Sequence, residues 1–559
     1  MAWYDEAVFY HIYPIGLLGA PTENHYDGVT HRFKELEPWI KHVKNIGCNA
    51  IYIGPLFESV GHGYETTDYK KLDSRLGDND DLKKFVKDCH DNGIKVIFDG
   101  VFNHTGRDFF AFKDIKEKRE NSPYKDWYCN VNFSGNNEYN DGFSYDNWGG
   151  YNLLAKLNQW NPAVRDYICD VIRFWIREFD VDGIRLDAAD VMDFEYMKAM
   201  RRTGDSLKKD FYLMGEVIHG DYTRWANRDT LHAVTNYVLH KALYSGHNDH
   251  NYFEIAHTVK RLNDMGANEP GGLKLYNFCD NHDVERIYTK LNNKAHFVPV
   301  HILLYTLCGV PSVYYGSEFG IEGKKEKFSD ASLRPYINLA DHKDDYENNP
   351  CTALIAALGR IRQAHPALSY GRYEELYLTN RQYAFARTLE QSRVIITVNN
   401  DDNPADFNLY AGNGTCYVGA LSGKEVAVSD GWINVNVQAN SGDIWVEKND
   451  NITYETIKLD VNVFKEQQIR VESEEKSEEE SEEEAGYSNL VEGGTTSDTK
   501  KEDIIVDLNK PYEEMTVSEL QQCVLNKLAA NGPLTDQMRK DVADNVYRDS
   551  LLNWVKSFR

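Results

Sequence analysis

The chain has 559 residues, a hydrophobic fraction of 42% and a formal net charge of −26. That length exceeds one ordinary domain and leaves room for a sizeable core. The acidic balance excludes nucleic acid as a partner, since binding it needs a basic surface against phosphate; otherwise the charge speaks to solubility.

Nine cysteines are scattered along the chain with no CxxC pair and no zinc spacing, which reads as reduced thiols in a cytoplasmic protein. The opening Met1-Ala2-Trp3-Tyr4-Asp5-Glu6 has no basic region before an apolar stretch, so no signal peptide is expected. No apolar run approaches the roughly 20 residues that cross a bilayer, so no membrane partner is expected. Aromatic residues reach 13%, with 36 Tyr and 10 Trp. They serve first as core and also suit flat platforms for the apolar faces of sugars.

In chain order, short apolar runs alternate with helical patterns. Phe9–Tyr13 reads as a strand, Val29–Ile46 as a helix ending at Gly47, and Ala50–Ile53 as a second strand. Asp80–Asn92 reads as a helix closed by Gly93, and Lys95–Phe98 as a third strand. Pro162–Phe179 is a helix with Asn161 as N-cap and Pro162 at its first position. Gly183–Leu186, Phe211–Gly215, Ala233–Asn236, Leu273–Phe278 and Val310–Tyr315 supply five more strands. Eight strands alternating with helices predict an α/β fold, a (β/α)8 TIM barrel with insertions. An open doubly wound sheet is the alternative, but no Gly-rich phosphate loop follows a strand.

The domain organisation expected is a barrel over residues 1–104 and 158–368, with an inserted domain over 105–157. The insertion is polar and carries Trp127, Tyr128, Phe143, Tyr145 and Trp148. A loop of that length beside the third strand's end suggests one wall of a cleft. Short strands at Tyr383–Arg387, Val394–Val398 and Ile433–Val437 predict a C-terminal β-sandwich over 369–448. Residues 472–484 hold nine Glu and one Lys, within an acidic linker over 449–512 expected to be disordered. Thr516-Val517-Ser518-Glu519 has capping-box spacing and opens a helical hairpin over 513–559, expected to mediate oligomerisation or partner docking.

Four segments carry chemistry. Asn103-His104 follows the third strand. Asp187 ends Gly183-Ile184-Arg185-Leu186-Asp187, Glu216 ends Leu213-Met214-Gly215-Glu216, and Asp283 ends Asn277-Phe278-Cys279-Asp280-Asn281-His282-Asp283. Taken singly, each reads equally as an ion pair, a surface acid or a turn cap. Together and in this order they point to a glycoside hydrolase working by paired carboxylates. Consecutive barrel strands bring their C-terminal ends round one opening, so Asp187 and Glu216 become neighbours. Arg185, two residues before Asp187 on the same strand face, is expected to keep that carboxylate ionised. Glu216 is expected to keep its proton in a drier, less charge-compensated position. This chemistry needs no cofactor. Asn103 is a weak candidate ligand for a structural calcium.

These segments resemble the signature regions of the α-amylase superfamily (glycoside hydrolase family 13) over roughly residues 3–448. Gly54-Pro55-Leu56-Phe57-Glu58-Ser59 with His62-Gly63-Tyr64 resembles its second-strand region, and Gly309-Val310-Pro311-Ser312-Val313-Tyr314-Tyr315-Gly316 its eighth. Lys156-Leu157-Asn158, Glu216-Val217-Ile218-His219 and Ala233-Val234-Thr235-Asn236-Tyr237 are most similar to the neopullulanase, cyclomaltodextrinase and maltogenic amylase branch. That branch usually begins with an N-terminal β-domain, which is not expected in this chain. The resemblance implies Asp187 as nucleophile, Glu216 as acid/base and Asp283 as the residue gripping sugar hydroxyls. It implies that His104 and His282 bond the same ring, that Tyr64 stacks on it and that Arg185 orients Asp187. The substrate implied is an α-glucan oligosaccharide cleaved at α-1,4 bonds. Transglycosylation or isomerisation on the same site is the alternative. An inactive glucan-binding homologue is disfavoured by the presence of all three acids. Asp190, Val191 and Ile218 depart from the branch at positions that line the acceptor side in relatives.

Overall fold

Eight short parallel strands close into a barrel in a computed structural model that describes residues 2–327 and 329–449, together with 464, 520, 523–525 and 527. The strands are β1 (Phe9–Ile12), β2 (Ala50–Ile53), β3 (Lys95–Gly100), β4 (Gly183–Leu186), β5 (Tyr212–Gly215), β6 (Ala233–Val234), β7 (Tyr276–Phe278) and β8 (Val310–Tyr314). Their hydrogen-bonded order is β6-β5-β4-β3-β2-β1-β8-β7, and a parallel bridge from Thr235 to Tyr276 joins the two ends. The (β/α)8 expectation is therefore met.

Burial on both faces explains why these strands read as continuous apolar runs. Phe9, Tyr52, Ile97, Tyr212, Met214, Tyr276, Phe278 and Val310 fill the interior. Tyr10, Ile12, Ile51, Ile53, Val96 and Phe98 point outward against the helices. The helix Pro162–Phe179 forms where the sequence placed it, with Asn161 Oδ1 accepting from Ala163 N. The predicted Val29–Ile46 helix is shorter and in two parts. Arg32–Leu36 is a 3-10 turn and Glu37–Asn45 is the α-helix. Pro38 explains the break, because it fits a helix's first turn and not its interior. Strand β6 stops at Val234, short of the expected Asn236, whose side chain instead caps the next helix by accepting from Leu239 N.

After β3 the chain leaves the barrel. His104–Thr105, Tyr151–Lys156 and Asn147–Trp148 form a three-stranded antiparallel sheet, and Phe110–Lys118 is a helix. The excursion is less open than its polar composition suggests. Phe112, Tyr128, Phe143 and Tyr145 are buried together as its own core, whereas Trp148 stays exposed.

Beyond the barrel lies a two-layer β-structure. One sheet runs, in spatial order, Arg372–Leu378, Gln382–Leu389, Ser392–Asn399, Ser441–Glu447, Cys416–Gly419 and Glu425–Ala427. Ala405–Tyr410 pairs with Trp432–Val437 opposite it. Strict alternation along Trp432–Val437 sends Ile433, Val435 and Val437 into the shared core and leaves Trp432, Asn434 and Asn436 outside. Apart from residues 449 and 464, the predicted acidic linker lies outside the described residues, as does most of the helical hairpin. Within a separate unit, residues 473–559, Leu520, Cys523, Val524, Leu525 and Lys527 are helical. No helix among the described residues is long and apolar enough to cross a membrane.

Candidate active site

Arg185 organises the carboxyl end of the barrel. It lies on β4 in register with Asp99 on β3 and is buried. Its Nη1 donates to Asp99 Oδ1 (2.9 Å) and to Asp187 Oδ1 (2.9 Å), while Nη2 lies 3.0 Å from Glu216 Oε2. Burial alone favours loss of the guanidinium's proton, but Asp99 and Glu216 reverse this and hold the cation charged. One cation thus faces three acids.

Local backbone chemistry sets those acids in place. Asp187 and Glu216 directly follow β4 and β5, and their amides continue the ladder to Gly100 O and Leu186 O. Ala188 adopts a left-handed conformation (φ 49°), a strained state for a side chain-bearing residue, and its N–H donates to Glu216 Oε2 at 3.0 Å. Gly54 has no Cβ because one would lie 2.3 Å from Asp99 Cβ. Asp99 then accepts from the hydroxyls of Tyr52 (2.9 Å) and Tyr64 (3.1 Å) as well as from Arg185.

The second half of the site hangs from the loop after β7. Asp280 is buried and pins that loop by accepting from Ile287 N and Ser317 Oγ, both at 2.8 Å. His282 stacks against Tyr64 at 5.7 Å, and its Nε2 meets the Tyr64 hydroxyl and Asp283 Oδ2 (3.0 Å). Arg334 donates from Nη2 to Asp283 Oδ1 (3.0 Å) and from Nε to His282 O (3.0 Å). Burial resists ionisation of Asp283, yet His282 and Arg334 outweigh it and hold the carboxyl well below its ordinary range.

Asp187 behaves oppositely. Burial pushes its carboxyl well above the ordinary range, and Glu216, Asp99 and Asp283 add to this against the pull of Arg185. Two sequence expectations change here. Arg185 is shared among three acids and does not by itself keep Asp187 ionised. Glu216 is not in a less compensated position, because it binds the same guanidinium and accepts from Ala188 N.

The structure brings Tyr64, Arg185, Asp187, Glu216, His282 and Asp283 into one connected network. His104 stands at the start of the insertion, buried, with its pKa lowered to about 3 by burial and by His62. Its Nε2, like His282 Nδ1 and His11 Nε2, is buried without a hydrogen-bond partner of normal geometry. Val191 and Ile218 are exposed close in the chain to Asp187 and Glu216, where Asp190 N donates to Glu216 O. Sequence reasoning missed Asp99, Tyr52, His11, Arg334 and Tyr237, whose hydroxyl lies 3.4 Å from Glu216 Oε1. Asp99 had a signal: an acid at a barrel strand's end, beside a strand bearing Arg185. Arg334 had none, because its loop lies far along the chain.

Asn103 Oδ1 accepts from Gln159 Nε2 (3.0 Å) and its Nδ2 lies 3.3 Å from His104 Nδ1. Gln159 Oε1 accepts in turn from Asp193 N (2.7 Å), so the donor set closes on itself. Among the described residues, His31, Asp78 and Asp81 alone cluster closely enough for an ion, and both acids already cap the helix Asn79–Asp91.

Comparison with known proteins agrees with this architecture. The family description "Alpha amylase, catalytic domain" matches residues 28–360. The chain is 32% identical to a cyclomaltodextrinase of Bacillus sp over 425 residues, 72% of this chain and 74% of that enzyme. It is 29% identical to neopullulanase 2 of Thermoactinomyces vulgaris over 469 residues, 79% of this chain and 77% of that enzyme. A solved cyclomaltodextrinase structure matches with a TM-score of 0.69 at 26% identity, covering 79% of this chain and 78% of that one. With its barrel, its strand-end acids and these matches, the chain belongs to the α-amylase family of glycoside hydrolases.

Proposed function

We propose that this enzyme is a retaining hydrolase of α-1,4-glucosidic bonds in maltooligosaccharides, cyclodextrins or starch-derived glucans. One observation carries the reading: carboxyls on adjacent strand ends meet the two amino nitrogens of a single buried guanidinium. Retention requires two carboxyl groups about 5–5.5 Å apart, one attacking the anomeric carbon and one shuttling a proton. Asp187 attacks. Glu216 protonates the leaving oxygen and then activates water. The acid step consumes the proton that Glu216 carries to the leaving oxygen. Asp283, held ionised by His282 and Arg334, grips sugar hydroxyls. The unpartnered His104 Nε2 and His282 Nδ1 are further hydroxyl partners, and Tyr64 stacks on the same ring.

No metal or other cofactor enters these steps. The substrate is neutral and polyhydroxylated, which suits a site rich in carboxylate and imidazole hydrogen-bonding groups beside the Tyr64 ring. We place the enzyme in the cytoplasm, a reading supported by scattered cysteines with no CxxC pair and no zinc spacing. The test is a timed product analysis on β-cyclodextrin, starch, pullulan and maltotriose with anomer detection. Release of α-anomers from α-1,4 bonds is expected. β-Anomeric products, or cleavage confined to α-1,6 bonds, refute the reading.

A further inference from the structure

The two carboxyl oxygens of Glu216 lie in unlike surroundings. Oε2 is 3.0 Å from Arg185 Nη2 and accepts from Ala188 N at 3.0 Å. A carboxyl oxygen that already receives two fixed N–H groups is a poor seat for a proton, because its lone pairs are engaged. The transferable proton therefore belongs on Oε1. The group facing Oε1 is the Tyr237 hydroxyl, 3.4 Å away.

Tyr237 is held from several sides. It opens the helix Tyr237–Asn248, whose N-cap Asn236 accepts from Leu239 N and donates through Nδ2 to Asn277 Oδ1 at 2.8 Å. Its ring meets Phe278 edge-on at 4.9 Å. Burial, Glu216 and Asp283 all keep the phenol proton in place. Asn281 then sets where that proton points. Its Oδ1 accepts from Asp283 N (2.9 Å), which turns Nδ2 toward the Tyr237 oxygen, to which it donates at 3.1 Å. The tyrosine oxygen thus receives one hydrogen from Asn281 and keeps its own for Glu216 Oε1.

Resting on the assignment of Glu216 as acid/base, we propose that Asn281 is a positioning residue for the acid step, aiming the Tyr237 hydroxyl at Glu216 Oε1. In that step the proton passes from Oε1 to the leaving oxygen, the bond from that oxygen to the anomeric carbon breaks, and Asp187 bonds the same carbon. Glu216 is left anionic, and Tyr237 donates to the oxygen that lost the proton. The 3.4 Å separation is looser than an ordinary O–H···O bond and closes as Oε1 gains charge, so the interaction strengthens toward the transition state. Because the same amide holds Asp283 N, one side chain aligns the sugar-gripping loop with the proton-delivering carboxyl.

The test uses the full chain and two substrates. Maltotriose needs its leaving oxygen protonated, whereas fluoride departs from α-maltosyl fluoride with little help from an acid. Y237F is expected to lower kcat/KM on maltotriose about tenfold and on α-maltosyl fluoride by less than about threefold. N281S, whose hydroxyl can still accept from Asp283 N, is expected to give the same split, and N281S/Y237F to lose no more than Y237F alone. N281D, isosteric and likewise without the donor, replaces N281S if thermal melts show that it does not fold. Equal losses on both substrates, an unimpaired Y237F form, or additive losses in the double variant overturn the role of Asn281. A wild-type chain inactive on both substrates, or an E216Q form active on maltotriose, overturns the hydrolase reading instead.

Discussion

Asp99 never needs to touch substrate, yet replacing it with Asn is expected to move the pH dependence of the whole site. Asp99 and Asp187 each bind the same Arg185 nitrogen at 2.9 Å, so their oxygens lie at most about 6 Å apart. Two like charges at about 6 Å repel by about 3 kcal/mol at an effective dielectric of about 20. That corresponds to about 2 pH units on the neighbouring carboxyl. Asn keeps a carbonyl for Arg185, but the Tyr52 and Tyr64 hydroxyls lose a charged acceptor. Arg185 is then shared by two acids, so Asp187 ionises more easily. The acid limb of kcat/KM, which reports groups of the free enzyme, should begin above the ordinary carboxylate range in wild type and fall by one to two units in D99N. The assay is kcat/KM on maltotriose from acid to neutral pH, with circular dichroism at each pH. A folded D99N protein whose acid limb stays put or rises refutes the shared-cation account.

Four further outcomes are expected. Asp187→Asn and Glu216→Gln should each lower kcat by several orders of magnitude with native melting behaviour; near-wild-type turnover in either would sink the mechanism. Gly54→Ala places a Cβ against Asp99 and should cost about 1–3 kcal/mol in thermal unfolding while impairing turnover. His240, His296 and His301 have pKa values lowered to about 4 by burial, so the unfolded chain binds protons first as pH falls. Stability present above about pH 6.5 should therefore decline toward pH 4, by up to about 3 kcal/mol per residue, as read by denaturant melts. EDTA should leave both melting temperature and activity unchanged; a chelator-sensitive enzyme would show a metal requirement.

The extent of what was legible follows from range. Strands β2 and β4 and the helix Pro162–Phe179 were readable to the residue because burial on both faces, a proline at the first turn and an Asn cap act locally. The Val29–Ile46 helix was overextended because periodicity alone does not register what Pro38 does to a helix interior. The aromatics of the insertion were read as a group, yet packing divides them, burying Tyr128, Phe143 and Tyr145 and leaving Trp148 beside His104.

The chain order of Asp187, Glu216 and Asp283, each escorted by its own strand or loop, was enough to name the family and the reaction class. Strand ends meet at one rim in a parallel barrel, so linear order becomes spatial neighbourhood. The charge balance was a different matter. The sequence pairs Arg185 with Asp187, its neighbour on the strand. Only the fold brings Asp99 and Glu216 to the same guanidinium and Arg334 to Asp283. Electrostatic energy depends on distance and burial rather than on sequence separation, so the state of each acid was decided when the strands came together.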